Sequence, residues 1–210
     1  MISNLYALIG LGVAVSFVMA LKGLSAPKTA RRGNLIGAFG ATIATIIVFF
    51  DPASKTHHNT LLIIGAILFG VIVGVPAARK IQMTQMPQLV ALFNGVGGGA
   101  AALVAIVEYL NLSAEGKPST ANLIATVFTV IVGSTSFSGS VITFMKLQEL
   151  MTTRPVVFPA GRFVIAATLV GVLASGGWTI SSGGNTPLLV MGLLSLLFGV
   201  LLIPWLPASS

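Results

Sequence analysis

Charged side chains are scarce in this sequence. Only 7% of its 210 residues are Asp, Glu, Lys or Arg, whereas soluble domains contain about 25%. Hydrophobic residues make up 55% of the chain, and the mean hydropathy is +1.01. So few polar groups cannot cover a surface that faces water on all sides, which excludes a soluble globular enzyme. Cysteine is absent, and this excludes disulfides, thiolate metal sites and a cysteine nucleophile.

Acidic residues are the rarest charged groups, with 4 Asp and Glu against 11 Lys and Arg. In a soluble chain this excess would suggest an acidic partner such as a nucleic acid. Here the basic residues lie between apolar stretches, so membrane topology explains them better. The pair His57-His58 has no carboxylate at ligand spacing, which favours two solvated histidines over a metal site. No nucleophile lies beside a base and no P-loop is present, so no catalytic residue is predicted.

Seven apolar stretches approach the length of about 20 residues that crosses a bilayer core. Since lipid offers no partner to backbone polar groups, each stretch must be a helix. The sequence therefore predicts one all-α transmembrane domain over residues 1–210, with loops at 25–33, 51–59 and 147–162. The predicted spans are 5–24, 34–50, 60–78, 88–111, 120–146, 163–180 and 187–204.

The basic residues also predict an orientation. If successive spans alternate in direction, nine Lys and Arg fall on one side of the membrane and only Lys55 and Lys117 on the other. Basic residues concentrate on the cytoplasmic side of membrane proteins. We therefore expect an N-terminus outside and a cytoplasmic C-terminus. The nine are Lys22, Lys28, Arg31, Arg32, Arg79, Lys80, Lys146, Arg154 and Arg162.

The fourth predicted span carries two polar groups that share a face. Asn94 lies two turns after Pro87, and Glu108 follows fourteen residues later. At about 100° and 1.5 Å per residue, the two lie within about 40° of one another and about 21 Å apart along the helix. A buried amide can hold water or an ionisable neighbour, as a proton path requires. The alternative is that Asn94 joins helices and Glu108 lies at the outer interface.

The glycine cluster from Gly95 to Gly99 matches the G-x-G-x-x-A nucleotide fingerprint when Ala100 is included. That fingerprint requires a preceding strand and a helix start that phosphate can reach, and an apolar span provides neither. Close helix packing through Gly95-x-x-x-Gly99 is the better interpretation. Gly98, Gly133 and Gly139 are assigned to helix packing as well.

The fifth predicted span contains five hydroxyl side chains in the seven residues 134–140. Ser136, Ser140 and Thr143 share a face by their spacing of four and three residues. This stripe has two interpretations. It can meet Asn94 across the bundle and line a polar path, or its hydroxyls can bond carbonyls of their own helix, as Ser and Thr ordinarily do.

Two segments resemble the membrane part of the beta subunit of proton-translocating NAD(P) transhydrogenase: QMPQLVALFNGVGGGA at 85–100 and GSTSFSGSVITFMKLQ at 133–148. Similar supporting motifs are KTARRG at 28–33, RPVVFP at 154–159 and LLFGVLL at 196–202. Members of that family couple hydride transfer from NADH to NADP⁺ with proton passage through a membrane domain. The resemblance implies the same role for this chain.

The resemblance also implies roles for particular residues and partners. Asn94 falls where many relatives carry histidine and some asparagine, and the hydroxyl-rich fifth span faces the same channel. Because asparagine does not titrate near neutral pH, the protonatable group would be water held by Asn94 or a histidine of a partner. The implied setting is the bacterial inner (plasma) membrane. The implied partners are an alpha-type subunit, an NADP-binding domain and a second copy of the complex.

The family pattern continues beyond Ser210, the last residue here, with two further spans and an NADP-binding domain. We therefore expect this chain to be a subunit or fragment. It would bind no cofactor itself, and NAD and NADP would lie on partner domains. The competing hypothesis is a non-catalytic membrane bundle, either an assembly scaffold or a small-solute transporter.

Overall fold

A computed structural model describes residues 2–50, 59–80, 82–116, 118–151 and 160–205. The described part contains seven α-helices and one short 3₁₀ helix, Met83–Gln85. The helices are α1 (Ile2–Leu24), α2 (Pro27–Phe50), α3 (Thr60–Lys80), α4 (Met86–Glu115), α5 (Thr120–Leu147), α6 (Gly161–Ser182) and α7 (Asn185–Trp205). Six of them, α1 and α3 to α7, are long and apolar enough within the described residues to cross a membrane. The prediction of a polytopic all-α membrane bundle is confirmed.

The predicted loop at 25–33 is wrong, because α2 already begins at Pro27 and only Ser25 and Ala26 separate it from α1. Proline suits the first helical position, where its missing N–H costs nothing. The Ser25 hydroxyl donates to the Lys22 carbonyl at 2.7 Å, and the Thr29 hydroxyl donates to the Gly23 carbonyl at 2.7 Å. These two bonds occupy carbonyls at the end of α1 and allow so short a turn.

The other helix ends lie within a few residues of the predicted ones. Pro87 lies in the first turn of α4, as predicted. Pro76 lies inside α3, although proline removes one helical hydrogen bond. Residues 51–58 of the predicted loop at 51–59, which include the pair His57-His58, fall outside the described residues. So do residues 152–159 of the predicted loop at 147–162.

The chain divides by its contacts into two compact units, Met1–Arg79 and Lys80–Ser210. In the first unit, α1 and α2 pack against one another. Their crossing relies on glycine, because a Cβ on Gly33 would lie 2.8 Å from the Ala20 carbonyl oxygen. The Tyr6 hydroxyl donates to the Phe50 carbonyl at the other end of the pair, at 2.6 Å. None of the described residues of α3 is buried.

The second unit consists of α4 to α7 and is built around α5, which packs against α4, α6 and α7. Nine residues of α5 are buried. The Tyr109 side chain is 1% exposed, and its hydroxyl donates to the Gly183 carbonyl after α6. The apolar core of this unit comprises Tyr109, Leu123, Val127, Val130, Leu188 and Met191.

Candidate functional site

Asn94 of α4 faces two serines of α5. Its amide nitrogen Nδ2 donates to the Ser140 hydroxyl oxygen at 2.8 Å and to the Ser136 hydroxyl oxygen at 3.1 Å. Both hydrogens of the amide are therefore used between helices. Within the described residues, neither serine hydroxyl donates a hydrogen bond and the Asn94 amide oxygen accepts none, so all three remain available to water. We call Asn94, Ser136 and Ser140 the amide–hydroxyl cluster.

Glycines bring the two helices close enough for this contact. A Cβ on Gly95 would lie 2.9 Å from the Ser140 Cβ, and a Cβ on Gly98 would lie 2.9 Å from the Ser136 Cβ. On the α5 side, a Cβ on Gly133 would lie 2.5 Å from the Gly98 carbonyl oxygen. A larger residue at any of these positions would force the backbones apart. A short asparagine side chain could then no longer reach both hydroxyls.

The other two predicted packing glycines also lie in close contacts. A Cβ on Gly99 would lie 2.9 Å from the Phe137 ring, again between α4 and α5. A Cβ on Gly139 would lie 3.4 Å from the Gly199 carbonyl oxygen of α7, which is an ordinary van der Waals distance. On the α7 side, however, a Cβ on Gly199 would clash with the Thr135 carbonyl oxygen, so α5 approaches α7 as closely as it approaches α4.

Thr143 follows the ordinary behaviour of a helical hydroxyl, because it donates to the Gly139 carbonyl of its own helix at 2.9 Å. Ser138 does the same with the Ser134 carbonyl at 3.0 Å. The two interpretations of the hydroxyl stripe thus each apply to part of it. Ser136 and Ser140 meet Asn94, whereas Thr143 bonds within its own helix.

Two open cavities meet at the amide–hydroxyl cluster. The first, of about 610 Å³, is lined by Asn94, Ser136, Ser140 and Thr143. The second, of about 450 Å³, is lined by Asn94, Ser136 and Thr129. Because Asn94 and Ser136 line both, the cluster lies at the boundary of the two spaces. The remainder of both linings is mostly apolar, so water in these spaces would be held at the few polar groups named here.

A third cavity, of about 390 Å³, extends the same groove to Glu108. It is also lined by Asn122 and Thr126, and it shares Ala101 and Thr129 with the second cavity. The helical spacing that predicted a common face for Asn94 and Glu108 agrees with this arrangement. Glu108 is exposed, and no ion pair involves it in the part of the chain that the structure describes.

Sequence reasoning missed Thr129 of this groove and, outside its lining, the glutamine pair Gln88–Gln148 that joins the start of α4 to the end of α5. Thr129 lines two of the cavities, and its position seven residues before Ser136 could have revealed this, since seven residues make about two helical turns. Gln88 Nε2 donates to the Leu147 carbonyl at 2.7 Å, and Gln148 Nε2 donates to Gln88 Oε1 at 2.7 Å. No periodicity within one helix predicts such a pair.

The described residues contain no group of three or more His, Asp or Glu side chains that could hold a metal ion. The groove therefore offers hydroxyls, amides and one carboxylate. These groups can hold water and pass hydrogen bonds along the helix pair.

Comparison with known proteins identifies relatives. A family model described as NAD(P) transhydrogenase beta subunit matches residues 6–206. Two Rhodospirillum rubrum proteins, each named NAD(P) transhydrogenase subunit beta, are 41% identical to this chain over 150 residues. The aligned region covers 69% of this chain and 32% of each relative. The chain thus spans about a third of the length of the curated relatives that it matches.

Proposed function

Because this chain belongs to the NAD(P) transhydrogenase beta-subunit family, we propose that it forms part of the proton-conducting membrane region of such an enzyme. The enzyme's reaction is hydride transfer from NADH to NADP⁺ coupled to proton passage. In this proposal the nucleotides bind to partner domains, and this chain binds neither of them. Its own contribution is the groove between α4 and α5.

The observation that supports this role most strongly is the pair of hydrogen bonds from Asn94 to Ser136 and Ser140. A polar group inside an apolar span is costly unless it has partners, and such groups often line ion pathways. Here the polar groups are paired with one another and also open to two cavities. An amide that served only to join helices would not need cavities on both sides.

The chemistry of the cluster suggests how it acts on a proton. Asn94 does not titrate, so it cannot carry the proton itself. By donating both amide hydrogens it orients the lone pairs of Ser136 and Ser140, which leaves each hydroxyl hydrogen free to point into a cavity. Water in the two cavities would then be ordered on both sides of Asn94, and the proton would move along that water.

Glu108 is the ionisable group that we propose for one end of the path, with Thr129 as the polar contact between it and Asn94. Thr129 donates to the Ala125 carbonyl of its own helix at 2.8 Å, and its oxygen remains free to accept from water. Thr143 would line the opposite end, beside Ser140. A histidine of a partner subunit remains the other source of a titrating group in this proposal.

The partners follow from the same proposal. An alpha-type subunit, an NADP-binding domain and a second copy of the complex would cover the open sides of the groove. The bacterial inner membrane would be the location, with the N-terminus outside and the C-terminus cytoplasmic. The segregation of basic residues supports this orientation. Family membership favours this function over a scaffold or a solute transporter.

Reconstitution of the chain with family partners in vesicles tests the role of Asn94. We expect Asn94→Leu to lower proton transport coupled to hydride transfer by at least about tenfold. Leucine has no polar atom, so it can bond neither the two serine hydroxyls nor the water in the cavities. The readout is a pH-sensitive dye inside the vesicles.

The matched control is Asn111→Leu, the same exchange on the same helix at a residue that lines none of the three cavities. It should leave transport unchanged. Normal transport by Asn94→Leu in vesicles that contain assembled complex would refute the proposed path.

A further inference from the structure

The turn between α1 and α2 carries a dense group of positive charges. Lys22 lies in the last turn of α1, and Lys28, Arg31 and Arg32 lie in the first two turns of α2. All four side chains are exposed. Lys28, Arg31 and Arg32 are neighbours on the surface of α2, because they are spaced by three and four residues. We call these four residues the basic turn.

The basic turn connects two closely packed helices, α1 and α2. A Cβ on Gly23 would lie 2.6 Å from the Gly33 Cα, so the two backbones touch directly beside the charges. The Thr29 hydroxyl crosses the turn to the Gly23 carbonyl. Four cations are thus presented by a tightly connected piece of backbone, and less conformational entropy is lost when a ligand orders them.

The helix pair that carries these charges has no carboxylate of its own. The sequence has only four acidic residues, Asp51, Glu108, Glu115 and Glu149, and none of them lies within residues 1–50. The chain from the N-terminus to the end of α2 therefore contains no acidic side chain to pair with the basic turn. The partner of these charges therefore has to come from outside this helix pair, and we consider an external anion. Two adjacent arginines suit phosphate oxygens, which guanidinium groups can bind with two parallel hydrogen bonds.

The surface next to the basic turn is apolar. Leu21 and Leu24 of α1 are 70% and 50% exposed, and Leu35 of α2 is 62% exposed. A ligand that places a phosphate on the basic turn would thus meet exposed hydrocarbon within about one helical turn. A phospholipid of the surrounding bilayer combines both chemistries.

We propose that the basic turn binds the headgroup of an anionic phospholipid, with the acyl chains along the exposed leucines of α1 and α2. The ligand class is a lipid phosphodiester with a net negative charge. This binding is independent of the proton path proposed above and requires only that α1 and α2 lie in a membrane. Basic residues near an anionic membrane surface each contribute about a fivefold gain in affinity.

A general preference for basic residues on the cytoplasmic side would explain the basic turn equally well, but it would also explain Arg79 and Lys80. Those two residues form an exposed basic pair at the end of α3. In α3, however, no described residue is buried, and α4, the next α-helix in the chain, contains no Lys or Arg that could add to the pair. The two basic groups therefore provide a matched comparison.

The test uses the purified full chain in nanodiscs of phosphatidylcholine with a minor share of phosphatidylglycerol. Native mass spectrometry after release into detergent counts the phosphatidylglycerol molecules that stay bound. The variants are Arg31→Gln/Arg32→Gln, the control Arg79→Gln/Lys80→Gln and the charge-conserving Arg31→Lys/Arg32→Lys. Circular dichroism checks that each variant remains helical.

We expect the Arg31→Gln/Arg32→Gln variant to retain phosphatidylglycerol about twenty-five-fold less well than the unaltered chain. The Arg79→Gln/Lys80→Gln control should retain it fully, and the lysine variant should retain most of it. Inorganic phosphate in excess should not displace the lipid, because it lacks the acyl chains. Equal retention by both glutamine variants would overturn the proposal, and displacement by phosphate would assign the turn to a free anion instead.

Discussion

The two units of the chain differ in what they bury. Of the nine buried hydrophobic residues in the described part, only Ala20 belongs to the first unit. All eight buried polar residues, each a serine or threonine, belong to the second unit. Among the six candidate spans, α3 is the most apolar and has no buried residue in its most apolar stretch, whereas α5 is the least apolar and has 39% of that stretch buried.

This relation between hydropathy and burial in α3 and α5 is the reverse of that in a water-soluble protein. In water, burial removes apolar surface from the solvent, so the most apolar helix lies deepest. In lipid the hydrocarbon is itself the solvent. Helices then associate through small residues and polar contacts, and the described side-chain hydrogen bonds between elements of the second unit each involve α4 or α5. Polarity, more than hydrophobicity, indicates which helices of this chain pack together.

The largest difference in unfolding free energy between the two units should come from exchanging one glycine for alanine in each. Gly133→Ala places a methyl group against the Gly98 carbonyl oxygen and the Ala102 side chain, and we expect a loss of about 1–3 kcal/mol of unfolding free energy from overpacking. Gly70→Ala in α3 meets nothing within 4 Å and should be neutral or slightly stabilising. Reversible unfolding in mixed detergent measures both changes.

A similar loss of stability in the two glycine variants would show that α3 is as closely packed as α5. It would thereby remove the contrast between the units.

A smaller effect should follow from removing one tyrosine hydroxyl in each unit. Tyr109→Phe deletes a buried donor to the Gly183 carbonyl, and interhelical hydrogen bonds in membranes contribute about 0.6 kcal/mol on average and about 1.7 kcal/mol at most. We expect a value near the upper figure, because the Tyr109 side chain is 1% exposed and the carbonyl would be left without its partner.

Tyr6→Phe is the matched variant of the first unit, since its hydroxyl also donates to a carbonyl, that of Phe50, but in an exposed setting. It should change the unfolding free energy by less than about 0.5 kcal/mol, as is usual for surface substitutions. The same unfolding assay applies. A larger loss of unfolding free energy for Tyr6→Phe than for Tyr109→Phe would contradict the expectation that the buried hydrogen bond contributes more.

The smallest effect concerns the glutamine pair that joins the start of α4 to the end of α5. Gln88→Leu removes both of its hydrogen bonds, to Leu147 and from Gln148, and should cost about 1 kcal/mol. Gln148→Leu removes only one of them and should cost about half as much. Equal costs in the unfolding assay would mean that the bond from Gln88 to the Leu147 carbonyl contributes nothing.

The candidate site was predictable where it depends on the spacing within a single helix. The shared face of Asn94 and Glu108 follows from helical periodicity, and so does the stripe of Ser136, Ser140 and Thr143. Periodicity could not predict which hydroxyls bond their own helix. It therefore could not separate Thr143 from Ser136 and Ser140, because that choice depends on the distance to α4.

Contacts between distant residues were not predictable in the same way. The Gln88–Gln148 pair joins residues 60 positions apart, and the Tyr109 bond to Gly183 joins residues 74 apart. The predicted loop at 25–33 failed for a different reason. Its turn-forming residues, Ser25-Ala-Pro27 followed by Arg31-Arg32-Gly33, suggested a loop, although Pro27 can begin a helix and the basic side chains are compatible with a helical turn.

By itself, the sequence determined that the chain is a bundle of membrane helices, where most of those helices begin and end, and to which family it belongs. It could do so because a bilayer imposes a length and an apolar composition on each span separately. Only the tertiary structure decided that Asn94 donates to two hydroxyls at the meeting point of two cavities, and that α5 lies at the centre of its unit. Those features depend on how closely glycine-rich faces of different helices approach, which no single helix encodes.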